Sequence, residues 1–188
     1  MELFFDTETT GLFNFKKSYK DSTQPQVIQL GFILSDSESI YHEGCFILHT
    51  DKEISPGALA THHISNKIIK KIGFRNYDII NIFITLSSKA NIVVCHNVAF
   101  DLGAIKSTLY SKGCFKEIKI LENFPTYCTM QKGTNLCKLP GRYGNYKWPK
   151  LEELYKFLFN EEPSGAHNAL EDAKNTRKCY YKMIEKIK

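Results

Sequence analysis

Two carboxylates stand two residues apart near the end of the first apolar run of the chain. The opening stretch MELFFDTETTGL predicts a β-strand over about residues 2–8, with Asp6 and Glu8 near its end. Side chains two apart on a strand project from the same face of the sheet. Two unit charges about 4 Å apart repel each other by about 4 kcal/mol at an effective dielectric constant of about 20. Such a pair needs either a proton on one carboxyl group or cations that compensate the charge.

Two further acids lie near the starts of predicted helices. The segment HNVAFD places Asp101 in the first turn of the helix after the apolar strand NIVVC, and AHNALEDA places Asp172 early in the last helix. At about 100° per residue, Asp172 lies on the edge of the apolar face of that helix and not on its solvent side. An α/β fold can bring the ends of such elements to one edge of its sheet, so the four acids can meet.

Each of these acids also has a purely structural explanation. Asp6 could cap the turn after its strand, Asp101 could interact with its helix dipole, and Asp172 could belong to a solvated helix start. That explanation is the stronger one for any acid taken alone. The three segments together favour a shared site, because they are long and mutually consistent.

A site of four carboxylates predicts divalent cations. Mg²⁺ and Mn²⁺ prefer oxygen ligands, and two such ions about 3.5–4 Å apart would offset the negative charge and could hold a phosphodiester between them. His167 precedes Asp172 by five residues and suits a loop position just ahead of the helix. An imidazole there could take a proton from water near neutral pH. These residue types therefore indicate hydrolysis of a phosphodiester bond.

The elements that would position these residues form a block of strands followed by alternating strands and helices. The segments QVIQLGFILSD and IYHEGCFIL predict an antiparallel hairpin, NIVVC predicts a central strand, and a further short strand is expected within EIKILENFPTYCTM. Helices are predicted as one turn within EISPGALATHHIS, after Ser65, over YDIINIFITLSS, from HNVAFD to about Gly113, from Pro149 onward and over about 167–186. Residues 131–148 are the least regular part. This order predicts one α/β domain over residues 1–188, with a mixed sheet between helices.

The positive charge of the chain is concentrated beside aromatic residues. The net charge is +5, and residues 123–151 and 9–20 combine lysines with aromatic side chains and contain no acid. Cations neutralise phosphates and aromatic rings stack on bases, so this mixture suits single-stranded nucleic acid. The alternative is a solvated lysine surface with the aromatic residues in the core.

Composition excludes several other classes of protein. The 188 residues are 43% hydrophobic and 24% charged, as in an ordinary globular protein. No run approaches the about 18 apolar residues of a membrane span, and no secretory signal pattern is present, so we expect no membrane partner. The six cysteines are dispersed without a C-x-x-C pair. Their spacing argues against a disulfide framework or a zinc-binding regulatory domain and predicts an intracellular, reducing compartment, most simply the cytoplasm.

The three acidic segments resemble the motifs of the DEDDh 3′–5′ exonucleases, the family related to the proofreading subunit of the bacterial replicative polymerase and to RNase T. FDTETTG is similar to the first motif of that family, HNVAFD to the second and HNALEDA to the third. Their order and spacing agree across essentially the whole chain. QVIQLG and EISPGALATHHIS are similar to the second strand of the family and to the loop beyond the hairpin.

The resemblance implies an RNase H-like fold and assigns a role to each matching residue. Asp6, Glu8, Asp101 and Asp172 would be catalytic ligands of two cations, Mg²⁺ or Mn²⁺, with His167 as general base. The terminal nucleotide would be held by Thr9 and the backbone at Gly11, with Leu12 as a wedge, Phe100 at the scissile end, Asn97 near the strand end, and His63 and Ile64 on a bordering loop. The family usually has glycine where this chain has His63. Residues 131–148 match no family segment, and they either contact the nucleic-acid backbone or form a variable surface loop.

The resemblance also implies a reaction. The chain would hydrolyse the terminal phosphodiester at a free 3′ end and release 5′-mononucleotides. The form DTETTG is more similar to the DNA-proofreading branch than to the oligoribonuclease branch, so single-stranded or frayed DNA is the expected substrate. Trimming of RNA ends is the alternative, and a role as a polymerase subunit is compatible with either. A catalytically silent binding module is disfavoured because all five catalytic positions are intact. The oligomeric state is left open.

Overall fold

The computed structural model describes residues 1–165 and 167–187 and contains a five-stranded mixed sheet in the order β3-β2-β1-β4-β5. The strands are β1 Glu2–Thr9, β2 Val27–Ser35, β3 Ile40–Ile47, β4 Ile92–Cys95 and β5 Thr126–Cys128. The pairs β1–β2 and β2–β3 are antiparallel, whereas β1–β4 and β4–β5 are parallel. The predicted hairpin, the central strand NIVVC and the α/β class are confirmed.

Eight α-helices are present in the described part of the chain. They are α1 Pro56–His62, α2 Asn66–Ile72, α3 Asn76–Ser87, α4 Val98–Ser111, α5 Phe115–Leu121, α6 Thr129–Cys137, α7 Leu151–Phe159 and α8 Ala169–Ile187. As predicted, the side chain of Ser65 caps a short helix, because its hydroxyl accepts a hydrogen bond from the backbone N–H of Ile68 at 3.3 Å. Of the helices described, none has the length and hydropathy that a bilayer crossing requires.

The short strand expected within EIKILENFPTYCTM is confirmed as TYC, which pairs with β4, and EIKIL belongs to the helix α5. Two other sequence expectations need correction. Residues 131–137, expected to be irregular, belong to α6. This helix packs on α7 through Gly133, where a Cβ atom would lie 3.0 Å from a methyl group of Leu154. Pro149 does not open α7, which begins at Leu151 with Lys150 as its N-cap.

The two faces of β1 contact different helices. Leu3 and Phe5 belong to the largest apolar cluster, which joins the sheet to α3, α4 and α5. Phe4 faces the opposite side and packs with Ala173 and Tyr180 of α8. Because side chains alternate along a strand, Asp6 shares the α8 face with Phe4. The strand therefore presents its two carboxylates to the start of α8.

The start of α8 lies directly on strand β2. The backbone N–H of Ala169 donates to the side-chain oxygen of Gln29 at 3.0 Å, within the protein interior. Gly31 pairs with Asp6 across the sheet. A Cβ atom on Gly31 would lie 2.3 Å from the carbonyl carbon of Ala169 and from the nitrogen of Leu170. The missing side chain thus allows the helix backbone to approach the sheet beside the carboxylates.

We expect Gly31→Ala to destabilise the protein, because the new methyl group meets helix backbone that cannot rotate away. Overpacking of this kind costs about 1–3 kcal/mol, occasionally more. In a domain of this size, each kcal/mol lowers the unfolding temperature by about 2–4 °C. Thermal unfolding followed by circular dichroism measures the effect. Gly57→Ala is the matched control, since a Cβ atom there meets nothing within 4 Å. An unchanged melting temperature in Gly31→Ala would contradict the close contact.

Candidate active site

Four carboxyl groups from three elements converge at the end of β1. Asp6, Glu8 and Asp172 each place an oxygen within 4.8 Å of the others, and Asp6 also forms such a group with Asp101 and the sulfur of Cys95. The acids come from β1, from the first turn of α4 and from the first turn of α8. The structure therefore brings the four predicted acids together.

Asp101 is held by three hydrogen bonds. Its Oδ1 accepts from the backbone N–H of Thr7 at 3.1 Å and from the Thr7 hydroxyl at 2.6 Å. Its Oδ2 accepts from the thiol of Cys95 at 3.1 Å. Burial raises the pKa of Cys95 well above its usual range, so the sulfur is a neutral donor. These bonds fix the orientation of a buried carboxylate that closes one side of the site.

Asp172 is tied to the residue predicted as the base. Its Oδ2 accepts a hydrogen bond from the backbone N–H of His167 at 3.0 Å. His167 lies in a turn before α8, as expected, with a left-handed backbone (φ 67°) and an exposed side chain. Left-handed backbone is uncommon for residues other than glycine and marks a constrained position. The turn therefore places the imidazole beside Asp172.

The carboxyl groups oppose one another's ionisation. Burial, followed by repulsion from Asp101, Asp172 and Glu8, raises the pKa of Asp6 well above its ordinary value. Burial and then the charges of Asp172 and Asp101 raise the pKa of Glu8 to about 8. Burial also raises the pKa of Asp101 to about 6 and that of Asp172 to about 6. The cluster thus favours protons, or any other positive charge that it can hold.

The donor set fits divalent cations. Over residues 1–165 and 167–187, no lysine or arginine nitrogen lies within 4.0 Å of these four carboxyl groups. Carboxylate oxygens are the ligands that Mg²⁺ and Mn²⁺ prefer. A compact group of hard oxygen donors without a protein cation is therefore suited to such ions.

A cavity of about 330 Å³ opens over this cluster. It is lined by the predicted Asp6, Asn97, Phe100, Asp101, His167 and Asp172, together with Thr7, His96, Lys150, Leu151 and Glu152. Asn97 is the N-cap of α4 and has φ 106°, a conformation that asparagine tolerates better than most residues. The cavity is thus lined by acids, two imidazoles and one lysine.

A second cavity, of about 390 Å³, adjoins the first, since both are lined by Thr7 and Phe100. Of the predicted residues, Glu8, Thr9, Gly11, Leu12 and Phe100 line it. The lining is mostly apolar and the volume is within the range of small-ligand pockets. We call it the terminal pocket.

The loop after the hairpin differs from expectation in which histidine it presents. His62 lines the terminal pocket, whereas His63 is exposed and Ile64 packs in a buried cluster with Ile28 and Ile69. His63 has φ 58°, a left-handed conformation in which glycine is favoured. The structure therefore does not bring His63 and Ile64 to the pocket, and their role in substrate binding stays a prediction.

His62 has a defined tautomer. Its Nδ1 accepts a hydrogen bond from the backbone N–H of Ile64 at 3.0 Å, so its Nε2–H donates to the carbonyl of Thr9 at 3.2 Å. Burial lowers the pKa of His62, which keeps the ring neutral. The imidazole thus connects the loop to the end of β1.

Lys150 and Glu152 were missed by sequence reasoning. Both come from the start of α7, which His96 holds at the site by donating from Nε2 to the carbonyl of Pro149 at 3.0 Å. The other ring nitrogen of His96 accepts from the hydroxyl of Thr129 at 2.9 Å. No local pattern marks Lys150, because its place depends on this long-range contact. For His96, the sequence offered one indication, which is its position next to Asn97 at the start of the segment HNVAFD.

A family model, RNase_T, described as an exonuclease, matches residues 3–180. A DNA polymerase III of the PolC type from Caldanaerobacter subterraneus subsp. tengcongensis is 26% identical over 183 residues, which are 97% of this chain and 11% of that protein. The chain therefore spans about a tenth of the length of this curated relative.

Solved structures share the fold at low sequence identity. Exonuclease X in complex with 5′ overhanging duplex DNA aligns with TM-score 0.67 and 22% identity, over 99% of this chain and 92% of that one. Exonuclease I of E. coli in complex with a dT13 oligonucleotide aligns with TM-score 0.75 and 19% identity, over 98% and 40%. The zinc-bound form of that exonuclease with single-stranded DNA gives 0.74 and 20%, over 100% and 40%. The predicted RNase H-like fold is confirmed.

Without divalent cations, we expect Asp6→Asn to unfold at a higher temperature than the wild type at pH 8. The folded-state pKa values of these carboxyl groups exceed their unfolded values, so their contribution to stability is present below about pH 4 and is lost as the pH rises through about 6 to 8. Each unit of raised pKa costs about 1.4 kcal/mol once the group is ionised. The advantage of the variant should therefore shrink at pH 5. Thermal unfolding in EDTA measures it.

Mg²⁺ or Mn²⁺ at pH 8 should raise the unfolding temperature of the wild type more than that of Asp6→Asn, because the variant lacks one ligand. Asp51→Asn is the control, since the side chain of Asp51 is 84% exposed and lies outside both cavities. Equal behaviour of Asp6→Asn and Asp51→Asn in EDTA would show that the carboxyl cluster does not destabilise the folded state.

Proposed function

The chain belongs to the RNase_T exonuclease family of the RNase H-like superfamily, and from this we propose that it hydrolyses the terminal phosphodiester at a free 3′ end of DNA and releases 5′-mononucleotides. The observation that carries the proposal is the convergence of Asp6, Glu8, Asp101 and Asp172 beside His167. An apolar pocket of about 390 Å³ adjoins them and can hold one nucleotide. The mutually repelling acids can hold cations, and the adjoining pocket has room for one nucleotide. Together they suit removal of nucleotides one at a time from a strand end.

The four acids would hold two divalent cations, Mg²⁺ or Mn²⁺. When bound, such ions supply a nucleophile near neutral pH and offset the charge that develops on the departing 3′ oxygen. Thr7 and Cys95 keep Asp101 ionisable by donating three hydrogen bonds to it. The N–H of His167 does the same for Asp172. These donors bias buried carboxyl groups toward their charged, ligating form.

His167 would act as the general base. Its side chain is exposed and lines the cavity that contains the acids, so it can reach a water held there. Its own backbone N–H donates to Asp172, which fixes the backbone of His167 beside that carboxylate. Lys150 lines the same cavity and could contact a non-bridging oxygen of the scissile phosphate.

The terminal pocket would hold the last nucleotide. Thr9 donates from its hydroxyl to the carbonyl of Gly11 at 2.7 Å, which shapes the turn at the end of β1. Leu12 follows and is almost fully exposed, as an apolar wedge beside a base would have to be. Phe100 lines both this pocket and the cavity that contains Asp6, Asp101 and Asp172. The scissile bond would thus lie next to Phe100.

Several observations support DNA as the substrate. The three similar structures reported above were solved with DNA, one with a 5′ overhanging duplex and two with a single strand, and the PolC-type relative is a DNA polymerase. RNA-end trimming is the second candidate, and a polymerase or another replication or repair protein is a candidate partner. We also propose that residues 1–188 act as one exonuclease domain in a reducing intracellular compartment, where its six free thiols would persist.

The segment 131–148 is proposed to contact the nucleic-acid backbone. Tyr143 is 98% exposed at the tip of a turn and Trp148 is also exposed, which contradicts the alternative that these aromatic residues lie in the core. Tyr143 has φ 58°, an unfavourable conformation for a bulky residue. Such exposed rings near Lys150 suit stacking on a strand that enters the cavity.

We expect Asp6→Ala to abolish hydrolysis of 5′-labelled DNA and RNA oligonucleotides in Mg²⁺ and in Mn²⁺, with a loss of at least about 10³-fold. The reason is that one of four cation ligands is removed from the reacting centre. Electrophoresis of matched DNA and RNA strands measures the ladder of shortened products. The wild type should shorten DNA from the 3′ end faster than RNA. Faster RNA degradation would assign RNA as the substrate, and a variant as active as the wild type would refute the site.

We expect His167→Asn to lose about 10²–10⁴-fold in kcat while retaining stabilisation by Mn²⁺, because the general base is lost and the acids remain. Asparagine tolerates the left-handed backbone at this position, so the N–H to Asp172 is preserved. His42→Asn is the control, since this exposed histidine lies on β3 far from the acids. Undiminished cleavage by His167→Asn would remove the imidazole from the mechanism.

A further inference from the structure

We propose that a groove beside the terminal pocket binds the nucleotides that precede the 3′ end of a single strand. This upstream groove has a volume of about 500 Å³ and is lined by Phe13, Phe15, Lys17, Ala99, Gly103 and Lys106, among others. That volume is sufficient for a nucleotide. The inference rests on the proposed function, because it extends the substrate away from the terminal pocket.

The upstream groove begins where the terminal pocket ends. Leu12 lines the pocket and Phe13, the next residue, lines the groove. On the opposite wall, Phe100 lines the pocket and Ala99 lines the groove. A strand whose last nucleotide fills the pocket therefore meets the groove as it passes between Leu12 and α4.

The loop that forms one wall of the upstream groove is held rigid from within. The side chain of Gln24 is buried, and its amide nitrogen donates to the carbonyls of Asn14, Lys17 and Ser18 at 2.8, 3.2 and 3.2 Å. Its oxygen accepts from the N–H of Asn14 at 2.9 Å. One glutamine thus contacts the backbone of three loop residues, and the loop presents its side chains in a fixed arrangement.

Two aromatic rings form the apolar part of the groove. Phe13 lies against α4 at Gly103, where a Cβ atom would be 3.0–3.2 Å from the ring. Phe15 packs edge-on against Phe13, with ring centroids 5.2 Å apart, and is 63% exposed. A phenylalanine so exposed, on a fixed support, is available to stack on a base. Stacking on one aromatic side chain strengthens single-strand binding by about 5- to 150-fold per base.

The charge around these rings is positive. Lys17 and Lys106 line the groove, and Lys16 and Lys20 lie on the same loop. Two acids are close by, since Lys17 is 3.5 Å from Asp21 and Lys106 is 3.5 Å from Glu122. In the part of the chain that the structure describes, Lys16 and Lys20 form no salt bridge. Positive charge beside an exposed ring favours a phosphate-linked strand over a protein surface.

The test compares Phe15→Ala with the wild type. Binding of fluorescein-labelled dT12 is measured by anisotropy in Ca²⁺, with the strand shown to stay intact, and hydrolysis of thymidine 5′-(4-nitrophenyl phosphate) is measured in Mn²⁺. We expect the Kd for dT12 to rise about 5- to 150-fold, while kcat/KM for the ester is unchanged because the ester fills only the terminal pocket. Failure of the wild type to shorten dT12 in Mn²⁺ would refute the proposed function and leave the binding result to judge the groove.

Matched controls isolate the groove. Phe74→Ala removes a ring that is 54% exposed and packs edge-on against Phe46, as Phe15 does against Phe13. Lys17→Ala should reduce the slope of log Kd against log salt by about 0.7, whereas Lys182→Ala should not. These two lysines have side chains 41% and 40% exposed, each beside an acid on the same segment. Equal Kd values for Phe15→Ala and Phe74→Ala would overturn the proposal. That result is expected if the groove binds a protein partner and not a nucleic-acid strand.

Discussion

Mutual repulsion among four clustered carboxyl groups is the constraint on which the rest of the structure depends. Their oxygens lie within 4.8 Å of one another in two overlapping groups. Neither a lysine nor an arginine among the described residues offsets that charge at short range. Apolar packing must therefore hold the acids together. The clusters on the two faces of the sheet, around Phe5 and Phe83 on one side and Phe4 and Tyr180 on the other, supply that packing.

The site is assembled from parts that are each fixed by a different kind of contact. Strand alternation presents Asp6 to α8, and hydrogen bonds from Thr7 and Cys95 orient Asp101 from the other side. Gln29 and Gly31 set the distance between α8 and the sheet. These contacts hold the site in one arrangement before substrate binds. Binding energy then need not be used to order the site and can stabilise the transition state.

Much of this arrangement could be predicted from the chain. Alternation places Asp6 and Glu8 on one face, and helical periodicity places Asp172 on the edge of the apolar stripe of α8, so local rules predict the face that each acid occupies. Alternation also identifies the hairpin, and a continuous apolar run identifies β4. These patterns are reliable here because their apolar side chains must be buried, which leaves little freedom in register.

The errors arise where a distant contact decides a local structure. Residues 131–137 carry a glycine and polar side chains that disfavour a helix, yet Gly133 allows α6 to pack closely on Leu154. His62 and His63 are adjacent, and only the left-handed turn at His63 determines which of them faces the pocket. Lys150 lies at the cavity because His96 donates a hydrogen bond to the neighbouring Pro149, and these two residues are 53 apart in the chain. Neither spacing nor composition contains that information.

The bond from His96 to Pro149 has a bearing on how the enzyme responds to acid. Burial lowers the pKa of His96 to about 4, so the ring is uncharged wherever the neighbouring carboxylates are ionised. His96, which follows β4 and is hydrogen-bonded to Pro149 before α7, therefore does not change its protonation state over that range. Acidification through the range in which the carboxyl groups titrate thus leaves the hydrogen bond from His96 to Pro149 in place, and α7 keeps its position beside the acids.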